Sequence, residues 1–221
     1  MKMKTEVRIK TLEERLKEKN GKEILHYKIS FPVFYSDVFF RATSELNQHY
    51  FRRATHLETF CKNAFFHMAQ EAFRCGEKEP FRLYEEVSIT YCEDVHISLF
   101  FDRRVYGAEE HSPERMADTW DLSGGNRRLL LGDLFSSRDT YQKKVLTEIE
   151  RQIEVRKNKG EIFYEPVARC LNAGFSPRQF YLTKQGVAVF FQSYDIAPPM
   201  AGIPFFLLDY AQNGPSLFMA C

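Results

Sequence analysis

The chain lacks any pair of cysteines at metal-ligand or redox spacing; its five (Cys61, Cys75, Cys92, Cys170, Cys221) are scattered and odd in number. Thiolate zinc sites and dithiol redox centres need closely spaced thiols, so neither is encoded. Such a set points to reduced thiols, several acting as small core residues, and to a cytoplasmic protein; a piece of a longer exported chain would be extracellular instead. Charge of one sign is also lacking, with 31 basic against 30 acidic side chains and a net charge of +1. No global field draws nucleic acid, and no basic patch is interleaved with aromatics. No apolar run approaches the roughly 20 residues of a bilayer span, and the N-terminus is too charged for a signal peptide. There is no Gly-x-Ser-x-Gly elbow, no Gly-rich loop before Lys-Ser/Thr and no dinucleotide fingerprint. No cofactor and no metal are expected.

What is present is core material. The 221 residues suit one large domain or two small ones packed together, and an aromatic content of 15%, with 21 Phe, fills a sizeable interior. Asn20-Gly21 is a strong short hairpin signal: both residues tolerate positive φ, so a type I′ turn can join Thr11–Lys19 to Lys22–Phe31. The second arm alternates, with Ile24, His26, Lys28 and Ser30 on one face and Leu25, Tyr27, Ile29 and Phe31 on the other. Pro32 is expected to end it. Steps of three and four through Leu46, Tyr50, Ala54, Leu57, Cys61, Ala64, Phe65, Met68 and Ala72 predict a helix from about Phe39 to Phe73, stopped at Gly76.

Period-two patterns predict strands over Phe81–Tyr91 and Val95–Tyr106, turned at Glu93-Asp94. A charged loop, Gly107 to Arg115, leads to a strand near Met116–Leu122, a turn at Ser123–Asn126, and Arg127–Leu131. Helices follow over about Thr140 to Lys157 and Glu165–Asn172. Near the C-terminus a strand, a tight turn at Lys184-Gln185-Gly186 and an apolar strand lead into Tyr194-Asp195-Ile196-Ala197-Pro198-Pro199. Two prolines cannot continue a ladder, so an extended, polyproline-like crossing is expected there, released at Gly202 into another strand. The order of elements reads as α+β, a mostly antiparallel sheet packed against one long and one or two shorter helices.

Several of these motifs together resemble one family, the ectodomain of RsiV-type anti-sigma factors, also found beside the catalytic domain of PdaC-type peptidoglycan deacetylases. The carriers are Tyr27 to Val33, Asn47, Asp121-Leu122, Leu129 to Phe135 (LLLGDLF), Phe180 to Leu182 and Tyr194 to Gly202 (YDIAPPMAG). The resemblance implies two adjoining α+β subdomains, residues 1–93 and 94–221, and a non-catalytic binding role, which in the anti-sigma factors is sensing lysozyme. The chain departs from the family at Gly107 to His111, where the family carries Gly-Gly-Ala-His-Gly, and at Pro199, where the family has an aromatic.

Glu109, Glu110 and His111 could form an acid–base or metal cluster, but adjacent residues of one loop rarely converge on an ion, so a solvated loop is the preferred reading. Glu85 and Glu86 fall on a strand and point to opposite faces, which excludes a glycosidase pair. His49 and His56 share a helix face but are seven apart, not the three or four usual for a metal pair. Tyr194 is read as packing down and Asp195 as bonding turn amides. Asp133 is read as an acceptor for the amides that follow it. The candidate binding surface is Glu109, Glu110 and His111 together with Tyr194, Asp195, Pro198, Pro199 and Met200. Its expected ligand is a protein, lysozyme-like, or a cell-wall glycan. The alternatives are a cell-wall hydrolase with a carboxylate or His site drawn from distant segments, and a structural homo-oligomer paired through an edge strand.

Overall fold

A computed structural model describes residues 5–107, 112–211 and 215. The fold is α+β, with two sheets among the described residues, and the chain divides into two compact units. One comprises Met1–Ser88 and Phe101–Pro113, the other Ile89–Phe100 and Glu114–Cys221. The long strands β3 (Phe81–Glu93) and β4 (His96–Tyr106), joined by a turn in which Asp94 takes a positive φ, run through both.

In the first unit, β1 (Glu6–Lys17) and β2 (Glu23–Tyr35) form the expected antiparallel hairpin. The turn is not type I′: Gly21 takes a φ of +85° and Asn20 does not take a positive φ. Gly21 N–H donates to Glu18 O and Glu18 N–H to Lys22 O, both at 2.9 Å. This is the three-residue loop in which a right-handed turn is followed by one left-handed glycine. Asn20 instead spends its side chain on the Lys22 amide at 2.8 Å.

Pro32 does not end β2, which continues to Tyr35 with Ile9 opposite the proline. The reason lies in the sides of the strand. β2 pairs β3, in parallel, only over Leu25–Ile29. Phe34 turns its N–H and C=O to Asn47, away from β1, so Pro32 two residues earlier faces that same unladdered side. Its missing donor breaks no ladder bond.

The long helix forms as α1 (Phe40–Phe60), a π-helical turn (Cys61–Phe65) and α2 (Phe66–Arg74). The π turn adds one residue and rotates the phase. The buried line therefore runs Leu46, Tyr50, Ala54, Cys61, Phe65 and Ala69, while Ala64 and Met68, expected inside, face outward. Met68 is 56% exposed.

In the second unit, β5 (Glu114–Asp121) is followed by a two-residue strand, β6 (Arg127–Arg128), and a 3-10 turn at Leu131–Leu134, shorter than the strand expected through Leu131. Helices α3 (Tyr141–Lys157) and α4 (Val167–Gly174) occupy the expected positions. The three-stranded sheet β7 (Phe180–Leu182), β8 (Gly186–Phe190), β9 (Phe205–Asp209) is antiparallel throughout. Gly186 opens β8 because a Cβ there would lie 2.3 Å from Leu208 O. Ile149, Ile153, Leu171, Val187, Val189, Phe191 and Phe206 fill the core between α3, α4 and this sheet.

Candidate functional site

The β8–β9 connection is not the extended crossing expected from its prolines. Tyr194 adopts a left-handed φ of 70°, and Pro199–Ala201 closes a 3-10 turn. The bend is fixed by Asp195, whose carboxylate accepts from Gln192 N–H at 2.8 Å while its own N–H donates to Gln192 O at 3.2 Å. Asp195 thus bonds a turn amide, as expected. Its side chain lies against Gly174 at the C-terminal end of α4, where an added Cβ would stand 3.0 Å from Asp195 Cβ. That burial raises the carboxyl above its ordinary value, partly offset by the Gln192 bond. Tyr194 does not pack down; it is 56% exposed.

Beyond the bend a cleft of about 280 Å³ opens within the second unit. One wall is the segment after α3, with Gly160, Ile162 and Phe163; the other is the connection itself, with Pro198, Met200 and Pro204. The walls are apolar and their tips unburied: Met200 is 87% and Ile162 63% exposed. The charges at the cleft cancel. Arg156 Nε donates to Glu161 Oε2 at 2.7 Å, and this pairing holds the Glu161 carboxyl below the usual range. The same guanidinium donates to Phe205 O at 3.1 Å and lies 5.3 and 5.0 Å from the ring centres of Phe163 and Phe206. One turn earlier on α3, Gln152 Nε2 donates to Leu207 O at 2.9 Å. Two helical side chains so occupy alternate carbonyls of β9, a strand that among the described residues pairs with β8 alone, which is how natural edges are blunted.

Of the sequence-derived site residues, Pro198 and Met200 line the cleft and Pro199 starts the turn that aims Met200. Tyr194 and Asp195 shape the connection without lining it, and Glu109, Glu110 and His111 lie outside the described residues. Arg156, Glu161, Ile162 and Phe163 were not anticipated. Their only local signal is an apolar pair just after Gly160, which takes a φ of +91° three residues beyond the end of α3.

Several titratable groups elsewhere are paired with one another. Glu85, fully buried, takes Arg53 at 2.5 and 3.0 Å and Arg103 at 2.8 and 3.0 Å, while Glu86 points outward as expected. His26 bridges Glu13 (2.9 Å) and Tyr84 (3.1 Å). A carboxylate only accepts, so His26 Nε2 carries the proton and, in the neutral ring, Nδ1 accepts from the Tyr84 hydroxyl. The Tyr27 hydroxyl lies 2.9 Å from both Glu14 and Glu58 and shares its one proton between them; burial, with these bonds, pushes it far up. Cys61, buried at the start of the π turn of the long helix, has its thiol pushed up to about 12 by desolvation and is no nucleophile. Asp133 accepts from the preceding Leu130 amide at 2.9 Å, not from those that follow, and pairs with Arg138. Among the described residues no three His, Cys, Asp or Glu side chains gather as metal ligands, and no helix is long and apolar enough to cross a membrane.

Comparison with known proteins fits this fold. Residues 132–211, which hold α3, α4 and the three-stranded sheet, match the family described as Protein of unknown function (DUF3298). The solved structure of a DUF3298 family member from Bacteroides fragilis NCTC 9343 superposes with a TM-score of 0.62 at 14% identity, covering 95% of this chain and 92% of that one. A DUF3298 family protein from Pseudomonas aeruginosa PAO1 superposes with a TM-score of 0.57, also at 14% identity, covering 95% and 91%. No curated protein matches.

Proposed function

We propose that this chain is a non-catalytic binding module whose partner is a protein, with a lysozyme-like protein the first candidate. The observation that carries the reading is the cleft between Ile162-Phe163 and Pro198–Pro204. Exposed Met and Ile tips over proline walls, with the local charges mutually paired, suit the apolar side chains of another protein. A cell-wall glycan is a poorer fit. Sugars are held by free polar groups and open aromatic faces, whereas Arg156 and Glu161 bind each other and Phe163 is only 8% exposed. The resemblance of Leu129–Phe135 and Tyr194–Gly202 to the lysozyme-sensing ectodomains supports the same partner class.

The test is calorimetric titration of the purified chain with lysozyme at low and at moderate salt. Saturable heat that survives the higher salt is expected, because apolar contacts are not screened. No heat at either salt, at two well-separated temperatures, would remove lysozyme as partner.

A further inference from the structure

The cleft lies beside a backbone hydrogen bond that is not followed by another. Tyr164 N–H donates to Ile196 O at 2.8 Å, so the segment after α3 begins to pair with the β8–β9 connection. The next residues of that connection are Ala197, Pro198 and Pro199, and neither proline has an N–H to continue the ladder. The two segments separate there and the apolar gap opens between them. On the near side the backbone is left bare: Ile162, two residues before Tyr164 and so facing the same side of an extended segment, neither gives nor takes a backbone hydrogen bond among the described residues. Backbone donors and acceptors beside an apolar pocket are what an added strand requires, main-chain bonds supplying affinity and alternate side chains supplying selectivity. The charge at the mouth selects further, since the Arg156–Glu161 pair leaves neither sign unmatched for a charged side chain.

We infer that the cleft accepts an extended, uncharged segment of the partner protein, paired through its backbone to Ile162, with an apolar side chain placed between Met200 and Pro204. This rests on the reading of the chain as a protein-binding module and names the chemistry the site takes.

The test uses the blocked peptide acetyl-Thr-Val-Thr-Leu-Thr-Val-Thr-amide, titrated into the full chain and followed at the backbone amide of Ile162 by NMR. Two further peptides carry backbone N-methyl groups on alternate residues, one set on the Thr positions and one on the Val and Leu positions. A paired strand presents only one of its two edges. Saturable shifts at Ile162 with the parent peptide are therefore expected, with at least about a tenfold weakening for one methylated peptide and not the other. Absence of parent binding, or equal behaviour of the two methylated peptides, would overturn the inference. Met200→Glu, at a residue exposed enough to leave folding unaffected, is expected to weaken the parent peptide; unchanged affinity would move the site elsewhere. Lysozyme binding by the chain alongside failure of the peptides would overturn this inference alone. Peptide binding without lysozyme binding would instead remove lysozyme and leave the cleft's chemistry standing.

Discussion

The side-chain amide of Asn47 and the backbone of Phe34 exchange both of their hydrogen bonds. Phe34 N–H donates to Asn47 Oδ1 at 2.7 Å, and Asn47 Nδ2 donates to Phe34 O at 2.9 Å. The carboxamide stands in for the peptide of a neighbouring strand just where β3 no longer accompanies β2. The second unit repeats the device. Gln192 Oε1 accepts from Arg115 N–H at 3.0 Å and its Nε2 donates to Arg115 O, at the start of β5. Phe34 is buried, so Asn47→Ala strands a desolvated N–H and C=O. A loss of roughly 2–3 kcal/mol is expected by urea unfolding, and Asn47→Asp, which keeps the acceptor but not the donor, should not recover it.

The π turn makes a sharp statement about helix phase. Ala69 is fully buried whereas Met68 is more than half exposed. Met68→Glu should change stability by no more than about 0.5 kcal/mol. Ala69→Glu, which buries a carboxylate with no partner built for it, should prevent or severely weaken folding as read by circular dichroism. An uninterrupted α-helix in phase with Cys61 would bring Met68 back toward the inside.

Glu85 with Arg53 and Arg103 is a buried ion cluster whose parts cannot be removed singly. Glu85→Ala leaves two guanidiniums facing each other beneath the sheet, and Arg53 is also stacked 3.7 Å from the Phe101 ring centre. The expected cost is about 3–5 kcal/mol, measured as a fall in the urea midpoint. A loss near zero would mean the cluster is solvated.

Asp195 carries a pH signature of definite sign. Its carboxyl is raised above 3.8 by burial, so folding favours the protonated form. Its stabilising contribution is complete below the unfolded value and is lost as pH rises through the higher folded value. Asp195→Asn keeps an acceptor for the Gln192 amide and removes the buried charge. The variant should therefore melt above the native chain at pH 7, and the two melting temperatures should converge as pH falls to about 4 and below.

Much of the architecture is written locally. Asn20-Gly21 marks the hairpin, the alternation through Ile97, Leu99 and Phe101 marks β4, and Val145, Ile149 and Ile153 mark the buried face of α3. What escaped depends on distant partners. Pro32 reads as a strand end because nothing nearby shows that its amide side is unladdered, and the side chain that closes that side belongs to Asn47. The π turn keeps helical spacing on either side and shifts only the phase, which periodicity alone cannot see. The cleft is half legible: Pro198 and Met200 stand in a motif, but Arg156, Glu161, Ile162 and Phe163 reach it from some 40 residues earlier in the chain.

Native chain and Met200→Glu should be titrated with lysozyme side by side in the calorimeter, after matched melting curves establish that both are folded. Saturable binding by the native chain, weakened at least about tenfold by the substitution, is the predicted result. Equal affinity of the two would contradict the placement of the binding surface at the cleft, and binding by neither would contradict the partner.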